Sequence, residues 1–166
     1  MFKQIVVALD GSEWGEAILP SVQALSEGTG AQLTLARVLK EAIATYPLEP
    51  AIVGLLATEV EQEHLQAAAT ARHDAAEQAR AQAMGYLERV AQGLRRGTPI
   101  RCEVFTGDAA ETVLDLARVI GADLITLSTH WREDAGKDAL GAVAEEIVRR
   151  SEIATLLIRP TYMHRR

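Results

Sequence analysis

The amino-acid sequence predicts an α/β fold of the doubly wound type, a five-stranded parallel sheet with helices on both faces. Three observations predict it: near-continuous apolar runs of strand length recur along the chain, they alternate with segments of helical period, and Gly, Asp and Ser punctuate the junctions. Strands half-exposed to water would alternate apolar and polar residues, whereas continuous apolar runs belong to strands buried on both faces. Parallel strands of that kind are joined by right-handed helical crossovers, which supply the covering layers.

Residues 3–9 form the first such run and end in Asp10-Gly11-Ser12, a tight turn with Ser12 as a helix N-cap. The helix that follows is expected to carry Trp14, Ile18, Val22 and Leu25 on one stripe. Pro20 lies inside that pattern and has no N–H to donate, so it must kink the helix or delay its regular part, and Gly28 and Gly30 end it. Residues 31–39 predict the second strand, with Leu33, Leu35 and Val38 inward. Residues 40–54 contain Pro47 and Pro50, show no period, and read as a partner-facing or ligand-covering element. Residues 56–94 are rich in Ala and Gln, and Leu65, Ala69, Ala76, Ala79, Ala83, Leu87, Val90 and Leu94 recur at helical spacing, which predicts one long helix. A strand at 99–105, a helix at 108–120, a strand at 123–127, a helix at 141–150 and a strand at 153–158 complete the rhythm. Asp108 and Glu111 have capping-box spacing, and Gly121 supplies a left-handed stop.

Composition narrows the functions. A chain of 166 residues is the size of one domain, expected over residues 1–160 with a C-terminal tail at 161–166. The net charge is -6 and the basic residues are spread along the chain, which argues against a nucleic-acid surface, since phosphate neutralisation needs clustered Lys and Arg. Aromatic residues make up only 4% of the chain, so the core must be built from Ala, Leu, Val and Ile. Cys102 is the single cysteine; it reads as a buried, inert thiol in a reducing compartment. The apolar run at 5–9 is too short for a secretory leader and no apolar stretch is long enough to cross a membrane, so a cytoplasmic protein is expected. His64 and His73 are nine residues apart, off the spacing that places two zinc ligands on one helical face. No Ser-His-Asp pattern or phosphate-loop lysine motif is spelled out, and no enzyme is expected.

In an open parallel sheet, ligands bind beyond the carboxyl ends of the strands where the strand order reverses. The residues that reach this place are Asp10-Gly11-Ser12, Val38 and Ser128-Thr129-His130-Trp131, and Gly141-Ala142 opens a helix whose N–H groups attract anions. Asp10 reads equally as a turn carboxylate that satisfies backbone donors and as a ligand group. His130 reads as a solvent-facing loop residue unless the loop closes on a ligand, and Trp131 as a packing residue or a stacking platform.

Several landmarks then occur in order: Val6-Val7-Ala8-Leu9-Asp10-Gly11-Ser12, Gly107-Asp108-Ala109-Ala110-Glu111, Gly121-Ala122-Asp123-Leu124-Ile125, Ser128-x-His130, Gly141-x-Val143-Ala144 and Leu156-Leu157-Ile158-Arg159-Pro160. In these the chain resembles the universal stress protein family over residues 3–160. The resemblance implies the strand order 3-2-1-4-5, a role in stress regulation through a protein partner, and a homodimer paired through the last strand, Ala154–Ile158. Members of that family that bind ATP carry a glycine, two residues, a glycine, nine residues, and then a glycine followed by Ser or Thr. Those four positions hold Ser128, Trp131, Gly141 and Ala142 here, so the resemblance implies a dismantled triphosphate cradle. Trp131 adds bulk, Ala142 lacks a hydroxyl, and Glu133, Asp134 and Asp138 outnumber Arg132 and Lys137 in the loop between.

The nucleoside end is better kept. Asp10 matches the family's acidic residue after the first strand and Val38 the position whose backbone meets adenine, although Ala8 stands where a proline is common. The candidate adenine-nucleotide site is therefore Asp10, Val38, Ser128, His130, Gly141 and Ala142, with no resident cofactor expected and AMP or ATP as the candidate ligands. A non-enzymatic regulator is the first reading, an AMP or ATP sensor that modulates a partner the second, and a weak nucleotide hydrolase or nucleotidyl-transfer relative a third that the missing glycines oppose most.

Overall fold

A computed structural model describes residues 1–40, 59–94, 97–129 and 140–160, with the side chains of residues 59–63 and 65 excepted. The central strand β1 (Gln4–Ala8) is where the fold is decided, because Ile5, Val6 and Val7 are each fully buried and therefore need cover on both sides. β2 (Gln32–Leu39) and β4 (Leu124–Ser128) flank it, β3 (Ile100–Thr106) pairs with β2, and β5 (Ala154–Ile158) pairs with β4. Every pairing is parallel and the order is β3-β2-β1-β4-β5, as the resemblance implied. The register aligns Ile5 with Leu33 and Leu124, and Val7 with Leu35 and Thr126.

Side-chain alternation divides the core in two. On one face Ile5, Val7, Leu33, Leu35 and Leu124 pack with α1 (Leu19–Thr29) and the C-terminal part of α2 (Glu59–Leu94). On the other Val6, Ala36, Ile125 and Leu127 pack with α3 (Ala109–Val119) and α4 (Ala142–Arg150). The sheet is thus doubly wound, as expected.

Local chemistry accounts for most boundaries. Asp108 caps α3 by accepting the Glu111 N–H at 2.9 Å, and Gly121 takes φ +64° just beyond its end. The segment after β1 departs from the sequence expectation. A short 3₁₀ turn, Gly15–Ile18, comes first with Trp14 at its N-cap position, and the Ser12 hydroxyl oxygen accepts the Gly15 N–H at 2.9 Å, so Ser12 braces the entry to that turn and does not cap a regular helix. Pro20 falls in the first turn of α1, where its missing N–H would have had no partner in any case, so it delays the helix and does not kink it. Trp14 lies outside the helix and is 48% exposed, while Ile18 and Val22 are fully buried. Gly28 sits inside α1, and only Gly30, at φ +72°, ends it.

The long helix is present, but its period does not report its burial. Ala83, Leu87 and Leu94 are buried and Val90 partly so, whereas Ala69, Ala76 and Ala79 are exposed. Length explains this: 36 residues span about 54 Å of helix, while the longest strand, of 8 residues, spans about 26 Å, so this sheet can cover only about half of α2. The Leu65 side chain, the irregular segment at 41–54, and His130 and Trp131 lie outside the described residues. Cys102 is half-buried on edge strand β3, less enclosed than expected, because an edge strand is covered by fewer neighbours.

Asp123 ties the two inner strands together at their amino ends. Its carboxylate accepts the Lys3 N–H at 2.6 Å and the Gln4 N–H at 2.9 Å, and these two bonds hold its pKa below the ordinary value of 3.8. A depressed carboxylate stabilises the fold fully above its unfolded pKa and loses that contribution as pH falls through the folded one. The Asp123→Asn variant should therefore melt lower than the wild type at neutral pH, with the gap closing below about pH 4. A gap that stays constant through the acid range in thermal melts would show that these bonds do not depend on the charge.

Candidate functional site

The carboxyl ends of β1, β2 and β4 open into a cleft of about 410 Å³ at the point where the strand order reverses between β1 and β4. Its floor is Ala8, Ala36 and Leu127; Asp10 and Val38 stand on the strand side, and Gly141 to Ala144 form the opposite wall. Ala109 and Val113 of α3 close one flank, and Lys40 reaches it from just beyond β2. Of the six residues expected at the site, Asp10, Val38, Ser128, Gly141 and Ala142 line this cleft, and His130 lies outside the described residues. Sequence reading missed Lys40, Ala109 and Val113. The rule that points to strand ends would have found Lys40, one residue past β2, but no local signal marks Ala109 and Val113, which arrive through the packing of α3.

Most of the lining is aliphatic, and among the described lining residues the charged side chains are Asp10 and Lys40. Gly141 is the N-cap of α4 and supplies no side-chain bond, so the first N–H groups of the helix present its positive end to the cleft.

The turn carrying Asp10 is built from short-range bonds. Asp10 Oδ1 accepts from the Ser12 N–H at 2.9 Å and the Ser12 hydroxyl at 2.7 Å. It therefore does serve its own turn, while the side chain still borders the cleft. The Ser128 hydroxyl donates to the Gly15 carbonyl at 3.1 Å, tying the end of β4 to the 3₁₀ turn. A side chain at Gly15 would collide with Asp10 Oδ1, so any larger residue there must displace the carboxylate from its bonds to Ser12.

Gly11 adopts φ +83°, and a Cβ at that position would lie 2.6 Å from Arg37 Cζ. Gly11→Ala should cost about 1–2 kcal/mol from the left-handed backbone alone, plus the displacement of Arg37. Urea unfolding measures the loss, and a variant as stable as the wild type would mean that the turn rearranges freely.

Behind the turn, on the far face of the sheet, the Arg37 guanidinium lies 5.3 Å over the Tyr86 ring. Tyr86 is 8% exposed and its hydroxyl is buried without a hydrogen-bond partner of standard length among the described residues. Burial first, then the nearby Glu16 carboxylate, pushes this phenol well above its ordinary value. Tyr86→Phe should leave stability unchanged or raise it by about 1 kcal/mol, since it removes a desolvated hydroxyl and keeps the ring. A loss of about 2 kcal/mol in thermal unfolding would instead show that Glu16 holds the hydroxyl in a bond that stabilises the fold.

A doubly wound parallel sheet with its cleft at the switch point defines an architectural class, and comparison with known proteins gives the family. The family model for the universal stress protein family matches residues 1–159, and the chain belongs to that family. Among solved structures it is similar to a protein of this family from Burkholderia pseudomallei, with 26% identity, a TM-score of 0.59, and coverage of 94% of this chain and 95% of that one. It is also similar to the universal stress protein UspA from Lactobacillus plantarum, at 21% identity and a TM-score of 0.58 over 95% of this chain and 97% of the other. A universal stress protein solved in complex with cAMP shares the fold at 17% identity and a TM-score of 0.60, covering 96% of this chain and 98% of that one. No curated protein sequence matches the chain. Among the described residues no helix is long and apolar enough to cross a membrane.

Proposed function

We propose that this universal stress protein is a non-enzymatic, cytoplasmic regulator of the stress response that works as a homodimer on a protein partner, and whose cleft keeps the nucleoside end of an adenine-nucleotide site without the triphosphate end. The observation that carries the reading is the lining of the cleft. Asp10 and Val38 border a pocket that is otherwise mostly aliphatic, which suits a flat base and a ribose. A triphosphate needs several convergent donors or cations, and the described lining offers backbone N–H groups of α4 without a hydroxyl at Ala142, a single lysine, Lys40, and the hydroxyls of Thr129 and of Ser128, the latter already donated to the Gly15 carbonyl.

Dimerisation is supported by the edge strand. Among the described residues β5 pairs with β4 alone, so its outer edge presents backbone groups without a strand partner. Pairing with a second copy would satisfy that edge. Sedimentation velocity at micromolar concentration should give a dimer, and a single monomer species would remove this part of the proposal.

A second reading makes the cleft a sensor of AMP or ATP that alters affinity for the partner. It is favoured by the size and lining of the cleft and by the cAMP complex of the relative. Titration with AMP should then move the amide resonances of Asp10, Val38 and Ala142 saturably. Unmoved resonances at all three would set the sensor aside and leave protein contacts as the means of regulation.

A further inference from the structure

We infer that Arg37, which touches no part of the cleft, is the residue that positions Asp10 for a ligand. The inference rests on the reading of the cleft as a nucleoside site and adds a role for a side chain on the opposite face of the sheet. Alternation along β2 places Ala36 and Val38 toward the cleft and Arg37 away from it. There its guanidinium is held between two surfaces. One is the ring of Tyr86, 5.3 Å away and fixed in the core with Ala83 and Leu87 of α2. The other is the backbone of Gly11, approached so closely that a Cβ would stand 2.6 Å from Arg37 Cζ.

Gly11 is the link between Asp10 and Ser12, and the bonds from Ser12 to Asp10 Oδ1 orient the carboxylate only as well as the turn itself is placed. A cation placed over the face of a buried ring is a stiff support. It keeps the turn from settling toward α2 and holds Asp10 at the mouth of the cleft. Lysine carries the charge but not the plane, and methionine carries neither.

The test uses the full chain. AMP affinity is measured by calorimetry for the wild type, Arg37→Met, Arg37→Lys, Asp10→Asn and the double variant Asp10→Asn/Arg37→Met, and the amide spectra of the ligand-free proteins are compared at Gly11, Ser12 and Gly15. Arg37→Met is expected to weaken AMP binding roughly tenfold, with partial recovery in Arg37→Lys, and to have no further effect once Asp10 is asparagine. The Gly11 and Ser12 resonances should move in Arg37→Met while those of α3 stay in place. Equal losses in both backgrounds, with Gly11 and Ser12 unmoved, would overturn the inference and leave Arg37 with a role in stability alone. Should the wild type bind no adenine nucleotide, the nucleoside reading fails by itself. The spectra then decide the positioning role: displaced Gly11 and Ser12 resonances support it and unmoved ones overturn it.

Discussion

Everything in this structure follows from a central strand that must be buried on both faces. Ile5, Val6 and Val7 leave no side of β1 that can face water, so both faces need cover; its neighbours are parallel, so their connections cross over as helices, and those helices divide between the two faces. With β2 on one side and β4 on the other, successive connections run in opposite directions from β1, and the loops after these strands separate. The cleft is that separation.

What lines it is small. Ala8, Ala36, Ala109, Ala142 and Ala144 leave room where larger side chains would fill the gap, and Asp10 and Lys40 give the cavity one charge of each sign among its described residues. The Asp10 turn is the most constrained part of this wall. It depends on a positive φ at Gly11, on the absence of a side chain at Gly15, and on a serine that bridges the carboxylate to the next turn. Constraints of that density around one exposed carboxylate are typical of positions where geometry matters more than stability.

The sheet was legible in the sequence because the signal for a doubly buried strand is strong: all five strands lie within about a residue of their expected ends. Helix faces were harder to read. Periodicity in the long helix is a property of the sequence, but burial depends on how far the sheet extends, and the alanines from 69 to 79 lie past that limit. Trp14 was assigned to a helical stripe because Ser12 looked like the cap of a regular helix, whereas the bond from the Gly15 N–H closes a tighter turn first. At the site, the residues on strand ends and at the start of α4 could be found from local pattern. Arg37 could not, since its part in the turn comes from a ring on α2, forty-nine positions along the chain.

The claim that binds these pieces together is that the nucleoside end of the cleft survives while the phosphate end does not. Calorimetric titration of the ligand-free protein with adenosine, AMP and ATP in parallel tests it most directly. Affinities that are similar for adenosine and AMP and no higher for ATP are what this account predicts. Saturable binding with a clear preference for the triphosphate would contradict it.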